Sequence, residues 1–546
     1  MYAGAAEAGD AEHDQGDQPQ QRADRDEAHV IGLERLRVWV AVSSHAPTLA
    51  PEHAGGHAGA GTSRQHASGT LSRMTTLENA PSRPATGALD RYFRLSERGS
   101  TVQREVRGGF ATFFTMAYIV VLNPIILGSA KDMHGHVLSV AQLTTSTALV
   151  AAVMTALMGL VGNLPLAIAT GLGLNSLVAF TLAPTMTWPD AMGLVVIEGL
   201  GIVLLVLTGL RQTILDAIPF ALKQAISVGI GLFIAFIGLV DAGFVSRTAV
   251  PPVPVQLGAT GRLDGWPVVV FAFGLLLTLV LLVRKVRGAI LISIIASTVL
   301  AVIVNSLFTV KMWGLNTPKV PSSIVGKPDF GLLGHFSLGG GFVHAGAVTA
   351  VIFVFTLILS DFFDAMGTII GISNEAGLLD EQGRLPSIGK VLLVDGVAAV
   401  AGGAASASSN TCFIESASGV GEGARTGLAN LVTAAMFVVA LFLTPLTTIV
   451  PSEAATPALV AVGFLLLTQV KNIPWDDWEI AIPAFLTIIL MPFTYSITNG
   501  IGAGFIAYVV IKLAKGKGRD VGVLLSVIAV LFAVYFAIDP IQRALA

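Results

Sequence analysis

Asp361 and Asp364 lie three residues apart in FVFTLILSDFFDAMGTIIGIS, residues 353–373, an otherwise apolar stretch long enough to cross a membrane. A carboxylate at the centre of a membrane helix costs roughly 2.5 to 3.5 kcal/mol on insertion scales, so such acids persist where they face a cavity, a cargo or a proton path. Positions i and i+3 share nearly one helical face. Two acids that close favour each other's neutral form, and desolvation acts in the same direction, which makes one of the pair a candidate proton carrier. Two further polar residues stand in unusual places: Asn175 in LPLAIATGLGLNSLVAF (164–180) and Glu415 in SASSNTCFIESASGVGEG (406–423). A carboxylate accepts from N–H groups, and an Asn offers both a donor and an acceptor.

The elements that must hold these groups are membrane spans. The hydrophobic fraction is 53% and the charged fraction 12%, against about 25% charged in soluble domains, and the mean hydropathy is +0.75. From Gly108 onward, apolar runs of spanning length alternate with short breaks. The candidate spans are 108–128, 142–161, 165–183, 191–209, 217–240, 267–283, 288–307, 344–368, 388–405, 407–422, 427–449, 456–470, 479–497 and 499–513, with a further run at 521–538. An N-terminus in the cytoplasm puts Arg211, then Arg284, Lys285 and Arg287, then Arg384 and Lys390, then Lys512, Lys515, Lys517 and Arg519 inside, in agreement with the positive-inside bias. Lys311, Lys319 and Lys327 then fall outside and weigh against it.

Spans three and ten are short and irregular. The third carries Pro165, Gly171, Gly173 and Asn175, and the tenth is too polar to face lipid. Gly-interrupted segments in matching positions of two halves point to a transporter binding site, because broken helices expose their ends near the midplane. Each is the third of seven, and an odd number of spans per half makes the halves inverted repeats, about 108–307 and 344–513.

Residues 1–90 differ in kind. Residues 1–73 hold six of the ten histidines without metal-ligand spacing and read as disordered. No signal peptide is visible at Met1, and Met74 is a candidate start. The transporter domain is 91–546. The net charge of -3 and the lack of a long basic run exclude a nucleic-acid partner. The single Cys412 excludes an intrachain disulfide, and the absence of a GxxxxGK[ST] loop argues against an ATP-driven pump. No cofactor or metal site is expected.

The stretches GGFATFFTMAYIVVLNP (108–124), GLGLN (171–175), SDFFDAMGTIIG (360–371), IESASGVGEGARTGLANLV (414–432) and PFTYSITNGIGAGFIAYVVIK (492–512) resemble the AzgA-type purine permeases of the nucleobase-cation symporter-2 group. The resemblance covers about Leu89 to Lys512. It implies an all-α polytopic fold with about fourteen transmembrane segments in two inverted repeats of seven, organised as core and gate domains, with short strands in segments three and ten. It also implies proton-coupled uptake of hypoxanthine, guanine and adenine across the cytoplasmic membrane. The family's span-eight acid falls on Asp361, the span-ten glutamate on Glu415, the span-three asparagine on Asn175, and the second span-eight acid on Asp364. The tenth segment departs from the family in having SSNTCF for a Thr-rich run, which bears on Asn410 and Thr411.

A purine edge alternates N–H donors with O or N acceptors, so a few aimed polar groups in an apolar cleft suffice to hold it. Substrate contacts are therefore assigned to Asp361, Glu415, Asn175, Gly173 and Thr411, and proton coupling to Asp364, Asp361 and Glu415. The expected partners are the base, protons, membrane lipid and a second copy of the chain. Each residue has a structural alternative: Asn as interhelical glue, and Gly171, Gly173, Gly419 and Gly421 as close-packing positions. Glu198 is either a relay acid or a partnered structural one. Phe113, Phe114 and Phe362 either stack on a base or face lipid and core, and Asp476, Asp477 and Glu479 read as a solvated loop. A different cargo on the same fold (uracil, xanthine or an anion) and an intramembrane aspartyl protease are the alternative functions. The protease reading lacks a GxGD element.

Overall fold

The computed structural model describes residues 87–209, 218–248, 254–258, 260–308, 310, 313–380 and 384–537. The chain divides into Met1–Pro81 and Ser82–Ala546, and the architecture below is that of the second unit. The expected tail up to residue 86, the start at Met74, and the basic residues Arg211 and Lys311 lie outside the described residues.

The first membrane crossing is α1 (Val102–Met116), capped by Thr101, whose side chain accepts from the Arg104 N–H, and α2 (Ile119–Ser129), which contains Pro124. Proline has no N–H for the helical ladder, and the chain is interrupted just before α2, at Ala117 and Tyr118. Then follow α3 (Val140–Leu157), strand β1 (Ile168–Thr170), the half-helix α4 (Leu172–Leu177), α5 (Trp188–Thr208) and α6 (Phe220–Asp241). A small hairpin of β2 (Val245–Arg247) and β3 (Val255–Leu257) precedes α7 (Trp266–Val283) and α8 (Ala289–Phe308). The second half comprises α9 (Ala347–Glu375), α10 (Ile388–Ala404), β4 (Asn410–Cys412), the half-helix α11 (Ala417–Gly421) and α12 (Leu428–Ala440). It ends with α13 (Pro457–Leu467), α14 (Trp478–Phe493), α15 (Ile497–Ala514) and α16 (Val523–Phe536).

Among the described residues ten helical stretches are long and apolar enough to cross a membrane, and three apolar helices are shorter. The third and tenth expected spans are not continuous helices. Each is a strand followed by a half-helix, and the strands pair antiparallel, Ile168 with Cys412, Ala169 with Thr411 and Thr170 with Asn410. Irregular backbone inside a membrane protein must find partners within the protein. Here the Ala167 N–H donates to Ser416 Oγ at 3.0 Å, Thr155 Oγ1 donates to the Ile168 carbonyl at 2.9 Å, and Asn430 Nδ2 donates to the Leu166 carbonyl at 2.6 Å.

The helices pack in two groups. In one, α5 lies on α10, and α12 lies on α1 and α3; in the other, α6 lies on α13 and α14, α14 on α15, and α7 on α8. The groups meet where α6 touches α4 and α9. Glu479 departs from its expected role as part of a solvated loop. It is buried at the start of α14, where Lys512, Lys515 and Lys517 donate to it at 2.6, 2.9 and 2.6 Å. Its neighbour Asp477 caps that helix. Lys512 is in the last turn of α15 and Lys515 and Lys517 follow it, so only the packing of α14 against α15 brings them to the glutamate.

Candidate functional site

Crossing of the paired strands brings the ends of α4 and α11 opposite the middle of α9. Asn175 is fully buried in α4; its Nδ2 donates to Thr170 Oγ1 at 3.3 Å, and its Oδ1 has no partner. Glu415 is half-buried in the 3-10 turn after β4 and accepts from the Tyr118 hydroxyl at 2.5 Å. Tyr118 was not foreseen. It owes its position to the break between α1 and α2, a tertiary detail with no motif of its own.

Asp361 and Asp364 are separated by the same turn of α9 that joins them. Asp361 is fully buried and both its carboxylate oxygens lack a hydrogen-bond partner, whereas Asp364 is exposed into a cleft. The acids that face Asp361 are Asp395, Glu198 and Asp364, and Asp364 in turn faces Asp395 and Glu415. Asp395, like Tyr118, is not among the residues the sequence singles out. It sits inside α10, and the signal that singled out Asp361, a carboxylate within an apolar run, applies equally to VLLVDGVAAV. Thr411 Oγ1 and Cys412 Sγ donate to Asp395 Oδ1 at 3.3 and 3.5 Å, so β4 is tied to α10 through its side chains. Glu198 of α5 accepts from Ser409 Oγ at 3.0 Å and keeps its other oxygen unpartnered, which joins it to the same network.

The cleft is lined by Gly173 and Leu174 of α4, Ser360, Phe363 and Asp364 of α9, and, across the junction, Ile226, Ser227 and Ile230 of α6 with Leu466 of α13. Its free volume is about 30 Å³, a narrow space at the junction of the two groups of helices. Gly173 faces that junction: a Cβ built on it would lie 2.8 Å from Ile230 Cγ2. A Cβ on Gly171 would come within 3.1 Å of Thr411 Cγ2, one on Gly419 would press on Thr112 and Gly108 of α1, and Gly421 has open space. The aromatic expectations resolve differently. Phe113 packs edge-on against Phe437, Phe114 is half exposed on the outside, Phe362 is buried, and it is Phe363 that borders the cleft. Among the described residues no group of His, Cys, Asp and Glu has the arrangement of a metal site.

The permease family matches residues 103–503, most of the membrane unit. The chain belongs to the xanthine/uracil permease family. Among this permease's relatives, the adenine permease AdeP of Escherichia coli strain K12 is 37% identical over 448 residues, 82% of this chain and 95% of the relative. The guanine/hypoxanthine permease PbuG of Bacillus subtilis strain 168 is 37% identical over 459 residues, 82% and 98% of the two chains. Among solved structures, the transmembrane domain of the cyanobacterial bicarbonate transporter BicA superposes with a TM-score of 0.52 at 15% identity, covering 74% of this permease and 97% of that chain. SLC26A9 superposes with a TM-score of 0.54 at 11% identity, covering 85% and 73%. At such identities the likeness is one of fold. This permease is a multi-pass membrane transporter with that architecture.

Proposed function

We propose that this permease imports purine nucleobases (hypoxanthine, guanine and adenine) together with protons across the cytoplasmic membrane, its N-terminus inside. The observation that carries the reading is Asp364 on a cleft between two groups of helices, with the buried Asp361 and the Glu415 carboxyl beside it in one network of acids. Relatives named for adenine and for guanine and hypoxanthine, matched over more than nine-tenths of their length, support the cargo class. In this reading the two groups are a core and a gate, arranged as fourteen segments in inverted repeats, and the gate slides along the core. The base lies against Gly173, its N–H edge toward Asp361 and Glu415, with Asn175 and Thr411 completing the contacts. Asp364 carries the proton, with Asp361 and Glu415 titrating as part of the same unit.

Asp364 on the cleft, with Asp395 and Glu415 near it, disfavours an anionic cargo on the shared fold, since carboxylates in a low-dielectric site repel anions strongly. Uptake of radiolabelled bases in a host lacking its own purine permeases, with unlabelled competitors and a protonophore, tests both halves of the proposal. Saturable uptake that purines compete for and the protonophore abolishes is expected. Uptake that ignores purines overturns the cargo, and uptake that persists without the gradient or follows sodium overturns the coupling.

A further inference from the structure

The half-helix α11 is fixed to α1 along its length. Before it, Glu415 accepts from the hydroxyl of Tyr118, which follows α1; within it, Gly419 lies so close to α1 that a Cβ there would meet Thr112 Oγ1 and the Gly108 carbonyl. At its far end, seven residues after Glu415, the Glu422 carboxylate accepts from Arg107 Nε at 2.6 Å, and its backbone carbonyl accepts from Arg107 Nη2 at 3.1 Å. The helices α1 and α11 therefore form one piece with the turn that carries Glu415. The second carboxylate oxygen of Glu422 is paired with Arg287 Nη1. Arg287 belongs to the loop between α7 and α8, in the other group of helices. That loop also reaches α1 by its backbone: Gly288 has φ 71°, a Cβ on it would lie 3.2 Å from the Phe114 carbonyl oxygen, and α8, which follows, packs on α1. A charged contact thus crosses between the groups and ends on the piece that holds Glu415.

We propose that Arg287 and Glu422 form a latch between the two groups of helices, one that holds α11 and its Glu415 turn in the register of this structure and opens when the groups slide. The proposal rests on the sliding motion in the function proposed above. Burial is unequal across the contact: the Glu422 side chain is 15% exposed, and those of Arg107 and Arg287 are 64% and 60% exposed. An ion pair between exposed partners contributes little, because water serves each charge nearly as well. Here the carboxylate has largely left water, and a desolvated charge depends on its partners. Arg107 moves with Glu422 and stays bonded to it in any register, whereas Arg287 moves with the other group. Sliding therefore leaves Glu422 one arginine and returns the other to solvent. A contact with one exposed partner biases the register without freezing it, as a carrier that must cycle requires.

The test uses the full-length protein, whose single native cysteine is buried. Spin labels on Val102→Cys of α1 and Lys285→Cys of the loop, both exposed positions, report the distance between the groups by double electron–electron resonance in nanodiscs, with no cargo present. Arg287→Met should lower the population at the distance of this structure, relative to the other register, by about fivefold, the upper end of what a pair with an exposed partner contributes. Glu422→Gln should shift it at least as far, and the double variant should add nothing to Glu422→Gln, the non-additivity expected of two partners in one contact. Arg284→Met, which removes the same charge three residues away, should leave the distribution unchanged. Separately, Arg287→Cys with Glu422→Cys, joined by a flexible bis-methanethiosulfonate, should stop uptake of labelled hypoxanthine into liposomes, and reduction should restore it. An unchanged distribution in Arg287→Met overturns the proposal, as does a further shift in the double variant or an equal shift in Arg284→Met. So does uptake that continues across the cross-link or stays lost after reduction. A wild-type protein that takes up no purine, while its label distances respond as expected, overturns the function proposed above instead.

Discussion

The two walls of the cleft are built on opposite principles. The wall formed by α4, α9, α10 and the paired strands is crowded with buried acids, amides and hydroxyls, while the wall formed by α6 and α13 is lined by Ile226, Ile230 and Leu466 with one serine. On the first wall, polar groups are held by other polar groups: Glu415 by Tyr118, Asp395 by Thr411 and Cys412, Glu198 by Ser409. On the second, little holds a position except packing. A polar wall aims hydrogen bonds and fixes chemistry, whereas an apolar wall excludes water and can slide, because dispersion contacts have no preferred direction. In the function proposed above, recognition belongs to the first wall and closure to the second.

The largest effect expected of this division is on the polar wall. Asp361→Asn and Glu415→Gln preserve shape and remove charge, and each should abolish uptake while the protein still reaches the membrane. A lost charge-assisted hydrogen bond is worth roughly 1.5 to 3 kcal/mol, about tenfold to more than a hundredfold in affinity. Calorimetric binding to the purified variants checks this. Wild-type binding in either variant removes that residue from the site.

A smaller effect is expected where the walls touch. Gly173→Ala would set a methyl against Ile230 and hold the walls apart, and overpacking of this kind typically costs about 1 to 3 kcal/mol. Uptake should slow roughly tenfold with binding less affected, and Ile230→Ala should relieve it. A Gly173→Ala defect that Ile230→Ala leaves untouched would show that the glycine serves the base or the strands, not the contact between walls.

The smallest effect lies outside the cleft, and it tests whether the distinction is confined there. Asp132, in the loop between α2 and α3, is buried, which pushes its carboxyl up, but the backbone N–H groups of His136 and His134, both at 2.9 Å, outweigh burial and hold it below the usual 3.8. A carboxyl lowered by folding contributes stability that is fully present above its unfolded value and is lost as pH falls through the folded one. Asp132→Asn should therefore lower the Tm in detergent by an amount corresponding to about 1 kcal/mol at neutral pH, and the difference from wild type should begin to shrink as pH drops below about 4 and be gone once pH has fallen through the lowered folded value. Uptake should be unchanged. A transport defect would extend the functional region to this loop.

Much of this was legible from residue types alone. An acid inside an apolar run is costly wherever it sits, so Asp361 and Asp364 announced themselves locally, Glu415 stood out in a tenth segment too polar to face lipid, and Pro165, Gly171 and Gly173 marked a span that cannot be one continuous helix. The family followed from ordered motifs in the same way. What only the tertiary structure decided is which of these groups meet. Two acids one turn apart read as equivalent along the helix, yet packing buries Asp361 against Asp395 and leaves Asp364 facing the cleft. Asp395 and Tyr118 join the site from elsewhere in the sequence, one from a different helix and the other from a break between helices. Glu479 gathers three lysines more than thirty residues away. Local pattern reports the cost of a residue in its own segment; its partners depend on how distant segments pack, and a single span of sequence holds no record of that.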